Sequence, residues 1–285
     1  MLPKVIHLEP TDVCNLACPL CARETDHEFN KQSAHHLSVD QLKSVISDNT
    51  IKQLDKMFMC GNYGDPAAGK HTLEIYQYFR SLNPSIVLGM NTNGALRTTE
   101  WWRNLASILN QPRDYVVFSI DGLEDTNSVY RVNSSWDTLR RNVVSFIEAG
   151  GTAHWDMLIY KHNEHQVDQC QKLAKDLGFK WFKAKVSKRP LINNLEYPIT
   201  WKESVLQPSG QIDCHALREQ SIYIDAQGRK SPCCWLGSRQ SNFISDIEIV
   251  KKSWDTNPDP VCVSACSVQN IITNFEAQWR YEIEF

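Results

Sequence analysis

No stretch of the 285-residue chain stays apolar for the roughly twenty residues that a membrane span requires. Charge of one sign is missing too. The 30 Lys and Arg are scattered among 33 Asp and Glu, for a net charge of -3, so there is no polybasic stripe for nucleic acid or a membrane surface. Met1 to Glu9 carries a single Lys and only a short apolar run, which reads as neither a signal peptide nor a membrane helix. Internal repeats and low-complexity tracts are absent. Cysteine, by contrast, is plentiful. Ten cysteines are too dilute for a disulfide scaffold of this length, and their clustering reads as metal ligation in a reducing compartment, so a cytoplasmic location is expected.

The first cluster is Cys14, Cys18 and Cys21, spaced C-x3-C-x2-C directly after a strand-like run. A short irregular loop of this kind can hold three corners of a cubane iron-sulfur cluster and leave the fourth iron open. Zinc normally recruits a fourth protein ligand nearby. Asp12, Glu24 and Asp26 are close in sequence, and His27 stands six residues past Cys21. Structural zinc and unligated core cysteines remain the alternatives.

Strand-like runs recur at Lys4 to Glu9, Lys56 to Cys60, Ile86 to Asn91, Tyr115 to Asp121, Ala153 to Tyr160 and Lys180 to Val186. Helical patterns lie between them, beginning at Ser38 (a capping box with Gln41), Thr72, Thr98, Ser135 and Glu164. This alternation predicts an α/β fold of parallel crossover units, most economically a partial (β/α)6 TIM-like barrel with its chemistry at the strand exits. The rhythm breaks near Arg189. Pro190, Pro198 and Pro208, with Asn193 and Asn194 between them, mark a linker, so the chain divides into a barrel at 1–189 and a small cysteine-rich C-terminal extension at 190–285.

The three-cysteine loop resembles the signature of radical S-adenosylmethionine (SAM) enzymes. The resemblance implies a [4Fe-4S] cluster on Cys14, Cys18 and Cys21 whose open iron chelates SAM. Reductive cleavage of SAM then yields a 5'-deoxyadenosyl radical, with an electron donor such as flavodoxin or ferredoxin as partner. Leu20 stands where many members carry an aromatic residue. The loop from Gly61 to Pro66 resembles the family's Gly-Gly-Glu-Pro segment, whose role Gly64, Asp65 and Pro66 would fill with Asp in place of Glu, and its bland reading is a turn. Ser119, ahead of Asp121, is similar to the serine of the family's fourth strand, and Arg131 to its carboxylate-binding arginine, whose planar fork suits two oxygens. Asn91 and Asn93 stand at the third-strand end, where a turn role is open. The run Lys161 to His165 reads as a strand exit or a capped helix start, with His162 and His165 as surface residues.

Cys214, Gly228 and Cys233 form C-x13-G-x4-C around a strand and hairpin turn at Tyr223 to Gly228. This pattern resembles the SPASM and Twitch extensions, which implies one auxiliary [4Fe-4S] cluster on Cys214, Cys233, Cys262 and Cys266. Cys234 competes with Cys233, and zinc suits four cysteines equally well. Cys60 and Cys170 read as buried small hydrophobes, and Trp201, Trp235, Trp254 and Trp279 as either the lining of a pocket or, the preferred reading, the core of the extension. The resemblance implies hydrogen-atom abstraction from a peptide or small molecule, with the auxiliary cluster as electron acceptor in an oxidation or crosslink. The lack of a leader-binding domain before Cys14 weighs slightly toward a small molecule. No catalytic acid or base is legible. A non-catalytic zinc-binding module is the rival.

Overall fold

A computed structural model describes residues 2–187, 191–192, 194–200, 211–237, 244–267 and 283–285. Strand β1 (Val5–Leu8) runs into the cysteine loop, α1 (Ala22–Thr25), α2 (Val39–Val45), α3 (Asp48–Ile51) and β2 (Lys56–Met59). The sequence then alternates: α4 (Thr72–Leu82), β3 (Val87–Thr92), α5 (Thr99–Ile108), β4 (Tyr115–Ser119), the short α6 (Asn127–Tyr130), α7 (Trp136–Glu148), β5 (Ala153–Ile159), α8 (Val167–Leu177) and β6 (Trp181–Val186). Helix starts lie where hydroxyl side chains take up orphan amides. Ser38 and Gln41 close a reciprocal capping box, and Thr98 and Ser135 accept from Trp101 and Thr138.

Strands β1 to β6 pair in parallel in chain order, as a partial TIM-like barrel requires. One face of every strand packs on the helices: Ile6, Leu8, Met57, Met59, Leu88, Met90, Val116 and Phe118 share a core with Phe79, Trp102, Leu139 and Phe146. Because side chains alternate along a strand, His7, Phe58, Asn91, Val117, Ser119, His154 and Asp156 point to the opposite face. The N-terminal part of that face is filled by Val87, Tyr115, Val117 and Trp181.

The chain continues through α9 (His215–Arg218), β7 (Ser221–Ile224), β8 (Lys230–Ser231), α10 (Cys234–Gly237), α11 (Ile247–Lys251), α12 (Pro260–Cys266) and β9 (Ile283–Glu284). The expected strand and hairpin near Tyr223 form, but β7 joins the barrel sheet, running parallel to β1 on the side away from β2, with Ile224 in the main core. The sheet among the described residues has nine strands in the order β8-β7-β1-β2-β3-β4-β5-β6-β9. Around α10 to α12 a separate small core gathers Leu236, Val250 and Cys262, with Trp254 packed against it. Trp235, 50% exposed, lines a cavity and so follows the pocket reading rather than the preferred core one. Trp201, Trp279, Pro190, Asn193 and Pro208 lie outside the described residues. No helix among the described residues is long and apolar enough to cross a membrane.

Candidate functional site

The cysteine loop leaves the C-terminal end of β1 and is anchored at both flanks. Asp12, nearly fully buried, accepts from the amide and ring of His35 (2.8 and 2.7 Å) and from Ser33 (3.0 Å), and the Arg23 guanidinium donates to the Asp12 carbonyl. Leu16, Cys18 and Leu20 pack on Tyr130 and Tyr160, with Cys14 and Cys21 against the same cluster. The Cys21 amide donates to the Cys18 carbonyl at 2.9 Å, a tight turn that brings the last two thiols together. Burial, with Asp65, Cys18 and Cys21 adding to it, pushes the Cys14 thiol up to about 12. Burial raises Cys18 as well, with Arg131 pulling the other way.

Three thiols gathered on one loop, with Cys21 close enough to raise both Cys14 and Cys18, are a fitting donor set for a metal cluster, whose positive charge deprotonates coordinating sulfur outright. Among the described residues no three His, Cys, Asp or Glu side chains converge at the distance of a single ion. A cubane makes a different demand, since it spreads its thiolates over separate irons.

The loop after β2 is built around Gly64. A Cβ at Gly64 would lie 2.0 Å from the Thr11 carbonyl oxygen, so only glycine lets this loop meet the cysteine loop. The amide of Asp65 donates to the Val13 carbonyl at 2.9 Å. Its buried carboxylate accepts from the Ala67 amide (2.9 Å), the Thr92 hydroxyl (2.8 Å) and the Asn93 amide (2.8 Å). Asn93 in turn directs its side-chain amide to Asn15 at 3.0 Å and toward the Cys14 sulfur at 3.9 Å. Arg131 donates through Nε to Asp121 at 2.6 Å, and its Nη1 lies 4.0 Å from the Cys18 sulfur. The fully buried Asp121 also accepts from the Leu158 amide at 2.6 Å, and its charge holds Arg131 protonated.

The structure thus links Gly64, Asp65, Asn93 and Arg131 to the cysteine loop, with Asn93 and Arg131 reaching the sulfurs of Cys14 and Cys18. Asn91 and Ser119 stand apart from that web, on the helix-averse face of β3 and β4, and the Asn91 Oδ1 is buried with no hydrogen-bond partner. His165 is exposed, while His162 is half-buried with its ring stacked on Tyr160 at 5.5 Å, correcting its expectation as a surface residue.

Four residues that sequence patterns do not flag complete the site. Glu9, 1% exposed, accepts at Oε1 from the amides of Tyr63 (2.7 Å) and Gly64 (2.9 Å), and the Tyr223 hydroxyl donates to its Oε2. Asn62 donates to the Tyr223 oxygen at 3.3 Å and to the Cys234 carbonyl at 3.2 Å. The fully buried Asn163 donates to the Asp121 and Leu158 carbonyls, both at 2.9 Å. Nothing local in the sequence announces these partners, which lie up to 214 positions apart.

Cys214, Cys233, Cys262 and Cys266 all open on one cavity of about 730 Å³, as do Cys60 and His7. Cys214 sits immediately before α9, and Cys262 and Cys266 share one face of α12. Burial pushes Cys233 up to about 11, with Cys214 and Cys266 adding to it, and Cys262 likewise to about 11, with Cys266 and Cys214 among its neighbours. Cys234 lines the same cavity but sits among different neighbours. Burial raises its thiol strongly, and besides Cys233 the charges beside it are Cys60 and Glu9. Cys170 is buried in the main core, as expected.

Among curated proteins, the chain is 24% identical over 183 residues to the tungsten-containing aldehyde ferredoxin oxidoreductase cofactor-modifying protein of Pyrococcus furiosus, covering 61% of this chain and 49% of that one. It therefore spans about half the length of that relative. Among solved structures it resembles Streptococcus suis SuiB bound to its precursor peptide SuiA, with a TM-score of 0.61, 14% identity, and coverage of 92% of this chain and 66% of SuiB. It also resembles anSMEcpe with bound AdoMet, with a TM-score of 0.57, 15% identity, and coverage of 80% and 74%. At such identities these structures establish the fold alone. The Radical SAM superfamily model matches residues 8–177, from the end of β1 through the cysteine loop to the end of α8, and the chain belongs to that superfamily.

Proposed function

We propose that this chain uses SAM and a [4Fe-4S] cluster on Cys14, Cys18 and Cys21 to abstract a hydrogen atom from a peptide or small-molecule substrate, as part of an oxidation or crosslink. The observation that carries the reading is the contact web at the strand exits, in which the three-cysteine loop, Gly64, Asp65, Asn93 and Arg131 are fastened to one another. Cys14, Cys18 and Cys21 would hold a cluster able, once reduced, to supply the electron that breaks the sulfonium bond of SAM and so yields a 5'-deoxyadenosyl radical, and Cys214, Cys233, Cys262 and Cys266 would hold a second one able to accept an electron from the substrate.

The protein's own part is positioning. Arg131 spends Nε on Asp121 and turns Nη1 toward the Cys18 sulfur, which leaves Nη2 and the second N–H of Nη1 for the SAM carboxylate. The backbone at Gly64 would engage the methionine amino group, and Asp65 would act through the loop it ties down, because its three accepted bonds are internal. Asn91, with its unpartnered oxygen, and Ser119 complete the SAM side from β3 and β4. Asn93 places an N–H toward the Cys14 sulfur, a contact of the kind that tunes cluster potential. Cys233 is favoured over Cys234 as a ligand because it neighbours Cys214 and Cys266, whereas Cys234 neighbours Cys60 and Glu9. A peptide substrate draws support from the SuiB–SuiA likeness, and a small-molecule one from the cofactor-modifying relative. An external donor such as flavodoxin or ferredoxin provides the electron.

Anaerobic reconstitution tests this reading. It should give about eight irons per chain and, on reduction with SAM, 5'-deoxyadenosine. Colourless protein carrying zinc, with SAM left intact, would overturn it.

A further inference from the structure

The auxiliary cysteines and the SAM-binding loop are joined by a short chain of buried contacts. At one end, Cys233 and Cys234 open α10, whose Gly237 lies so close to the Tyr223 ring that a Cβ there would stand 2.4 Å from it. Tyr223 is 1% exposed, and the hairpin between it and Cys233 is stiff. Asp225 accepts from the amides of Gln227 (3.0 Å) and Arg229 (2.8 Å), and its other oxygen takes the Arg229 Nε at 2.6 Å. At the other end, the Tyr223 hydroxyl meets Glu9, whose second oxygen fixes the Tyr63 and Gly64 amides. Asn62 runs alongside, bonding the Tyr223 oxygen and the Cys234 carbonyl from within the same loop.

We propose that Tyr223, Asn62 and Glu9 are positioning residues that couple the auxiliary cysteine site to the loop presenting Gly64 to SAM. The proposal rests on the reading of Cys214, Cys233, Cys262 and Cys266 as cluster ligands. Ligation of Cys233 fixes the start of α10. The packed Tyr223 ring and the Cys234 carbonyl pass that constraint to Glu9 and Asn62, and these hold the loop amides. An unligated auxiliary site leaves α10 free to shift, and with it the conformation in which Gly64 meets SAM. Contact alone does not prove such a path; energetic non-additivity does.

The test is a double-mutant cycle on the full chain: wild type, Tyr223→Phe, the pair Cys262→Ala with Cys266→Ala, and all three together. Two quantities are read, the Kd for SAM by anaerobic equilibrium dialysis and hydrogen exchange at the Tyr63 and Gly64 amides. Tyr223→Phe and the cysteine pair should each weaken SAM binding by about tenfold and speed exchange at both amides, and the combination should weaken it by no more than about the same tenfold. Effects that multiply, or either variant matching wild type in both readouts, would overturn the coupling. Iron retained at the first site shows that a variant folds. If Tyr223→Phe loses that iron, Asn62→Ala cuts the parallel arm and takes its place in the cycle. Wild type that forms no 5'-deoxyadenosine defeats the functional reading itself, whereas normal cleavage with multiplying effects defeats only the coupling.

Discussion

His7 shows how one side chain carries a pH dependence. Its ring stacks on Phe58 with centroids 4.6 Å apart and meets Tyr223 edge-on at 5.0 Å. Nε2 lies 2.6 Å from the Cys60 carbonyl, which can only accept, so Nε2 bears a proton. Although the ring borders the cavity, its packing against Phe58 and Tyr223 desolvates it enough to depress its pKa from 6.5 to about 4, the carbonyl contact opposing the shift. Because the unfolded chain then binds more protons, His7 supports the fold fully above about 6.5 and withdraws that support as pH falls toward about 4. His7→Gln keeps a donor for Cys60 and removes the titration. In urea melts at pH 7 and pH 5, wild type should lose ~1–3 kcal/mol more than the variant across that interval. Equal losses would show that the ring is solvated and titrates normally.

Asp65 does the corresponding work between elements. It joins the loop after β2, the end of β3 and, through its amide, the cysteine loop. Asp65→Ala orphans three donors at once and should destabilise the protein by ~3 kcal/mol, against ~1–2 kcal/mol for Thr92→Val, which removes one of them and the acceptor of the Gly94 amide. Equal costs for the two in denaturant titrations would show that the carboxylate is not the fastening. The elements themselves were legible. The Thr72–Leu82 helix, the Thr98 and Ser135 caps, the Ser38 capping box and the buried strand at Tyr115 follow from period and cap chemistry, which are local. The partners of Asp65 were not, because its acceptor bonds reach Thr92 and Asn93 across 27 and 28 positions and no periodicity encodes them. Glu9 reads as one more strand-end residue until the loop at Tyr63 closes over it.

For the whole molecule, the place of β7 in the sheet decides what can be separated from what. The division near residue 190 is a proposal about which cysteines hold which cluster, and it does not imply that the two parts fold alone. β1 is four residues long and hydrogen-bonded on both sides, in register Val5 to Leu8 with Ser221 to Ile224 and with Lys56 to Met59. Cutting the chain after Ser187 bares the β7 side of β1, removes Ile224 from the main core and takes Tyr223 from Glu9, leaving a buried carboxylate without its hydroxyl donor. The four-residue strand that carries the cysteine loop thereby becomes the sheet's edge. Residues 1–187 should accordingly aggregate or melt at least ~10 °C below the full chain, and reconstitute with well under four irons per chain. Gel filtration, thermal melting and iron analysis read this directly. A monomeric fragment that holds four irons and binds SAM as the full chain does would show that β7 only decorates a barrel complete without it.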